Sequence, residues 1–298
     1  MTLCVPPGVS NENRARVLSL YRVIDIGAVT GAQFLIPAFG VEGFAIFAVM
    51  AIIITISMVP VSLGDRSNPT PPEDVKLDLR RAWAISPIAA LGCIAIGLTN
   101  GAFRTLSPVY AQAIGLGTAD VATFVSVSII GGALIQYPLG HASDRHDRRT
   151  VLLITTTLAL IAAVALSLFS GSGRLVNFTL VFIFGAFCMP LYSLSAAHAN
   201  DRAARNEYVM LNAALMLFYS IGAIVGPFAA AAAMQHYGPQ ALFQFSAAIY
   251  VAFIGLILWR MRVRAPASPE ERGRFTALLR TSTIFARLAD WRGGDRKR

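Results

Sequence analysis

The chain has 298 residues, 55% apolar and only 14% charged, whereas about a quarter of the residues in a soluble domain are charged. Its net charge of +9 would suit a nucleic-acid binder, but residues 262–298 alone carry ten basic and four acidic side chains, so most of the excess sits in one tail. The composition is that of a membrane protein, and nucleic acid drops out as a partner.

Crossing the hydrocarbon core takes about 20 residues of helix. Eight apolar stretches meet that length: 17–39, 43–63, 84–106, 120–142, 150–170, 175–199, 208–234 and 240–261. The expected fold class is all-α, a polytopic membrane protein of eight transmembrane helices. Residues 1–13 show neither a basic leader nor a cleavage site, so the first apolar run reads as an uncleaved anchor.

The first span carries Arg22 and Asp25, three apart and so on adjacent faces of one helix. Counted from Arg16, Asp25 falls roughly 13 Å deep, near the bilayer midplane, where a lone carboxylate is costly. Two roles are open to the pair: a local ion pair that packs the helix, or a site on a cavity wall that responds to substrate or to a coupling proton. Gln33 follows, and Gly27 and Gly31 form a small-xxx-small pattern that lets helices approach closely.

After the second span, residues 64–83 are polar and contain Asn68-Pro-Thr-Pro-Pro72, a stiff extended segment. They read as a linker between residues 1–63 and a six-helix bundle over 84–261. In the third span Asn100 and Arg104 are four apart and share a face. Arg104 either snorkels to the interface or faces a cavity and attracts an anionic group. The fourth span brings Gln136 and Tyr137.

Between the fourth and fifth spans lies Gly140-His-Ala-Ser-Asp-Arg-His-Asp-Arg-Arg149, with five formal charges in its last six residues. So charged a turn cannot lie in hydrocarbon and must face water. Later spans add Tyr192, His198, Asn212 and Tyr219, with Pro190 and Pro227 expected to kink their helices. Asn212 and Tyr219, seven apart, share a face as a polar stripe would. His198, beside Asn200-Asp201, suits a structural role near the loop. The tail, residues 262–298, contains Ser268-Pro-Glu-Glu271, a good helix N-terminus, and continues as an amphipathic basic helix suited to an anionic leaflet.

Basic residues alternate between connections. Eleven fall on one side (Arg14, Arg16, Arg66, Lys76, Arg80, Arg81, Arg145, Arg148, Arg149, Arg202 and Arg205) and only Arg174 on the other. The positive-inside rule then places both termini in the cytoplasm. Cys4, Cys93 and Cys188 lack metal spacing, and no metal or cofactor is expected. No Ser/His/Asp set or phosphate loop appears, which makes an enzyme the weakest reading.

An internal echo links the ends. Gly27 and Gly31 recur as Gly222 and Gly226, each offset by 195 residues and each six spans later. A six-helix repeating unit is implied, as in transporters built from parallel repeats.

The turn Gly140-x-x-x-Asp144-Arg145-x-x-Arg148-Arg149 resembles the signature cytoplasmic loop of the major facilitator superfamily, the twelve-helix transporters. Gly222-x-x-x-Gly226-Pro227 resembles that family's Gly-Pro motif in helix eleven. Gln136-x-Pro138-x-Gly140, Pro190-x-Tyr192 and Ala197-His-Ala-Asn-Asp201 look like the bacterial group typified by YcaD. Asp147 stands where the general motif has Gly, and Ala142 where it has Leu. The resemblance implies that residues 17–261 correspond to helices five to twelve, a partial fold with the last two helices of the N-half and a complete C-half. On that matching, helices one to four are expected upstream of Met1 if the start site is misplaced. It also implies that Asp144 latches onto the start of the first span, near Arg14 to Val17, and stabilises a state closed to the cytoplasm. The function implied is secondary active transport of a small solute across a bacterial inner membrane. The alternative expectation is a truncated, non-transporting membrane protein or scaffold.

Overall fold

The computed structural model describes residues 24–40, 43–62, 77–204 and 207–263, and these are helices joined by short turns. Helix α1 spans Ile24–Phe39 and is interrupted by a turn at Phe34, with Leu35–Phe39 as its second segment. Gly40 ends it with φ 74°, a left-handed backbone that glycine adopts without a Cβ clash. Helix α2, Ala45–Ser62, is apolar on every face and almost wholly exposed, as suits a helix whose neighbours include lipid.

Helix α3 is short, Leu79–Ile85, and is capped by Asp78, whose carboxylate accepts from Arg81 N at 2.9 Å. Ser86 then breaks the helix and caps α4, Pro87–Ala113, by accepting from Ala89 N at 3.3 Å. Proline at the first position of α4 suits this restart, because it disfavours the helical region for Ser86 and lacks an N–H that the first turn would leave without an intrahelical partner. Helix α5 follows over Thr118–Arg145 and α6 over Arg148–Leu168. The next span is two helices, α7 (Arg174–Cys188) and α8 (Leu191–Asn200), divided at Met189-Pro190. Helix α9 covers Tyr208–Tyr237 and α10 Ala241–Val263.

Six of these segments are long and apolar enough to cross a membrane: α4, α5, α6, α7 with α8, α9 and α10. The chain is thus a helical, multi-pass membrane protein. The expected count of eight is not reached among the described residues, where Ile24–Phe39 and Ala45–Val59 are shorter apolar helices. The expected boundaries also shift. The third span starts at Pro87 rather than 84 and runs through Pro108 to Ala113, beyond the expected end at 106. Of the stretch expected as a linker, 64–83, the part from Leu79 is helix, and within the described residues the last helix reaches Val263. The rest of the tail lies outside the described residues.

Two seams of close backbone contact hold the bundle. In α4 against α9, a Cβ on Gly97 would overlap the carbonyl oxygen of Tyr219, and one on Gly222 that of Ile94. Gly101 meets Ala223 and Gly226 meets Leu98 in the same way. In α5 against α7, Gly131 abuts the Phe182 carbonyl and Gly185 that of Ser128. Without a hydrophobic drive between helices in lipid, such approach supplies the dispersion and dipolar contact that bulkier residues would prevent. By contrast, a Cβ on Gly27 or Gly31 would meet no atom of another helix within 4 Å among the described residues. An aromatic core joins α4, α7 and α10, with Phe103 5.1 Å from Phe184 and Tyr110 4.8 Å from Phe243 between ring centroids. At the end of the bundle away from the charged turn, Tyr110 Oη lies 3.1 Å from Ser170 Oγ and 3.4 Å from Asn177 Oδ1, so its buried hydroxyl is not left bare.

Candidate functional site: the charged turn and the polar bundle interior

The turn between α5 and α6 is built from local chemistry outward. Asp147 is the N-cap of α6: its Oδ1 accepts from Arg149 N at 3.0 Å, and its Oδ2 lies 3.1 Å from Arg149 Nη2. Capping of this kind satisfies helix N–H groups that have no intrahelical partner. Arg148 and Arg149 occupy the first turn of α6, where the helix dipole disfavours cations. Both are nevertheless buried, at 3% exposure each. Aspartates offset the cost. Asp144 Oδ1 lies 3.4 Å from Arg148 Nη2, one turn back on α5. Asp201, just after α8, brings Oδ2 to 2.6 Å from Arg148 Nε with its own side chain only 4% exposed. Arg145 ends α5, where a cation favours the dipole. Gly140 is buried on α5, five residues before it.

The turn is therefore knit to the far end of α8 as well as to itself. Asp201 was legible only as part of the Ala197–Asp201 pattern, and nothing in its spacing announced Arg148 as partner. His198, buried on α8, adds an imidazole whose Nε2 has no hydrogen-bond partner among the described residues. The expected contact of Asp144 with Arg14 to Val17 lies outside the described residues, as does Arg22.

Other candidates fall in separate places. Asp25 and Gln33 are half-buried on α1, and Arg104 is exposed on α4. Tyr137 is 84% exposed, unlike Gln136, its buried neighbour. Asn212 and Tyr219 both turn toward α8. Asn212 Nδ2 donates to Asn200 Oδ1 at 3.2 Å near the charged turn, while Tyr219 stacks edge-on against Tyr192. Gln136 Nε2 donates to Ser193 Oγ at 3.4 Å. Pro190 separates α7 from α8, whereas Pro227 sits inside an unbroken α9.

On the same side as the turn, Arg81 of α3 reaches Glu207, which precedes α9, with Nε 2.7 Å from Oε1. Glu207 also accepts from Ala204 N at 3.0 Å. The hydrogen bond from Arg81, helped by that of Ala204, holds the Glu207 carboxyl below its ordinary pKa. A depressed folded-state pKa means that the contribution is full above the ordinary glutamate range and is lost as pH falls through the depressed value. Arg81 is largely exposed, so the contact is too weak for a global melt to register. Hydrogen exchange of the Leu79–Ile85 amides, corrected for intrinsic rates, should hold steady from neutral down to the ordinary glutamate value of about 4.3 and quicken below it, and Arg81→Gln should remove that dependence. Equal pH dependence in the two proteins would refute it.

The model of the Major Facilitator Superfamily matches this chain over residues 9–176 and again over 89–292. Among curated proteins, the MFS-type transporter YcaD of Escherichia fergusonii is 26% identical over 266 residues, covering 87% of this chain and 67% of the relative. An MFS-type transporter of Yersinia pestis is 27% identical over 259 residues, 85% of this chain and 64% of the relative. One of Enterobacter sp. (strain 638) is 27% identical over 256 residues, with 84% and 64% covered. The chain spans about two thirds of the length of these relatives.

Proposed function

Because the chain belongs to the major facilitator superfamily, we propose that it carries a small solute across a bacterial inner membrane by secondary active transport with alternating access. The observation that carries this reading is the pairing of Arg148 with Asp201, two buried charges that tie α6 to the end of α8 at one mouth of a six-span bundle. A charge pair placed there costs desolvation and contributes little net stability, so its worth is as a contact made in one state and broken in another. The transporter relatives weigh in the same direction, and against an enzyme.

In this arrangement α1 and α2 are two helices of an N-terminal bundle, residues 64–83 are a cytoplasmic linker and residues 84–261 are the C-terminal bundle. Eight spans then leave both termini in the cytoplasm, with the basic tail on the inner leaflet. Asp144 is the mobile member of the latch. It holds Arg148 in one state and faces the start of the first span in the closed state. Asp25, in the half-buried portion of α1, is the candidate carrier of a coupling proton. Transport would be followed as uptake into vesicles, with membrane insertion measured in parallel. Asp144→Asn should lower the rate by about tenfold, which is about 1.4 kcal/mol on the step that closes the cytoplasmic side, with insertion unchanged. Undiminished transport in that variant would sink the latch.

A further inference from the structure

Through the middle of the six-span bundle runs a belt of uncharged polar side chains that the cytoplasmic latch does not use. Gln136 on α5 donates to Ser193 on α8 at 3.4 Å. One residue back, the Tyr192 ring stands edge-on to Tyr219 of α9, with centroids 5.3 Å apart and planes at 80°. Gly97 of α4 lies against the backbone of Tyr219, and Asn100 is one turn further along α4. Three residues after Tyr192 on α8, Ser195 Oγ packs toward Gly92 of α4 beside the Phe253 ring of α10.

Two features of the belt point to a ligand. Asn100 Oδ1 and Ser195 Oγ are buried and have no hydrogen-bond partner among the described residues. In a bilayer interior, such atoms cost free energy until something polar meets them. Asn100, Gln136 and Tyr192 each retain 8–9% exposure, so the belt is enclosed without being sealed.

The charge pattern narrows the class. Within α4 to α10, formal charges gather at the helix ends: Asp120 with Arg174 at 2.8 Å on one side, and Asp144 to Arg149 with Asp201 on the other. Arg104, a turn beyond Asn100, is exposed on α4. An ionised solute at the belt would lose its water without gaining a buried counter-charge, a penalty of several kcal/mol. Amide and hydroxyl side chains instead both donate and accept, which matches solute hydroxyl groups, and the two tyrosine rings offer apolar faces to a carbon skeleton.

We infer that the belt of Asn100, Gln136, Tyr192, Ser193, Ser195 and Tyr219 binds an uncharged, polyhydroxylated solute of the sugar or polyol class. This deepens the transport reading and rests on it for its use, though binding itself is measured without transport. The full chain in lipid nanodiscs is titrated with labelled glucose, arabinose and mannitol as uncharged probes, and with succinate and tetraphenylphosphonium as charged ones. At least one uncharged probe should bind saturably. Asn100→Ala and Gln136→Ala should each weaken it about tenfold or more, and Gln244→Ala on the exposed face of α10 should leave it unchanged. Gln136→Met, close in size but without the amide, should weaken binding as much while melting within a few degrees of the parent. Saturable binding of succinate alone with loss in Arg104→Ala, binding of the cation alone, binding insensitive to the belt variants, or no binding by any uncharged probe each overturns the inference. Uptake into proteoliposomes is scored separately. Binding without uptake leaves the belt standing and removes the transport proposal, whereas uptake of a charged solute alone does the reverse.

Discussion

Arg148→Met should be the most damaging single change at the charged turn, lowering stability by about 3–5 kcal/mol. The substitution keeps the length and apolar stem of the side chain but takes the guanidinium away from Asp201, whose carboxylate is only 4% exposed and 2.6 Å from Arg148 Nε. The loss measures the cost to a buried charge of losing this partner more than the worth of the pair. That distinction can be tested. Arg148→Met combined with Asp201→Leu removes both charges together and should recover most of the lost stability, because a buried ion pair and an apolar pair of similar volume are often close in free energy. Thermal melts of the four proteins in one detergent close a double-mutant cycle, with a coupling of about 2 kcal/mol or more expected. If Arg148→Met melts with the parent, the pair is not structurally coupled and the proposed gate loses its footing. Transport should separate the two roles again. The double variant is expected to be stable but slow, since a contact that never forms cannot be made and broken.

Gly97→Val is expected to be comparably severe, for a steric reason. A Cβ at this position would overlap the carbonyl oxygen of Tyr219, a backbone atom that cannot rotate away. Either α4 and α9 separate along the seam made by Gly97, Gly101, Gly222 and Gly226, or the fold is lost. Forced overpacking typically costs about 1–3 kcal/mol, and the upper end or beyond applies when backbone must move. Gly255→Ala provides the control. No atom lies within 4 Å of where its Cβ would be, and it sits inside α10, so the change should be neutral or stabilising by up to about 1 kcal/mol from helix propensity. Melting temperature and the fraction of protein recovered as a monodisperse species read both variants. Equal behaviour of the two would show that the seam is looser than its geometry says. Because Tyr219 belongs to the polar belt, a displaced α9 should also weaken solute binding, which ties the seam to the site.

Helix–helix contact by glycine was partly legible in advance. The echo of Gly27 and Gly31 in Gly222 and Gly226 named two of the four glycines of the seam between α4 and α9. It did not name Gly97 or Gly101, since glycine is frequent in any membrane helix and its partner is set by orientation. The first copy of the echo has no close neighbour among the described residues. Prolines behaved unevenly for a similar reason. Pro87 and Pro190 each stand at a break between helices, whereas Pro108 and Pro227 lie inside continuous ones. The missing N–H is the same in all four, and neighbouring helices decide whether the freed carbonyl is tolerated.

What the amino-acid order determined by itself was the solvent of the chain and the positions where it must return to water. Long apolar runs cannot be folded any other way, and a turn as charged as Asp144–Arg149 cannot be placed in hydrocarbon. The family was also readable from that turn, because its spacing is a local pattern. Pairings between distant segments were decided only in three dimensions. Asp201 meets Arg148, Ser193 meets Gln136, and Tyr192 meets Tyr219 through the rotation of each helix about its own axis. That rotation is set by which small residues let two backbones touch. A hydropathy pattern that is apolar on almost every face carries little record of it.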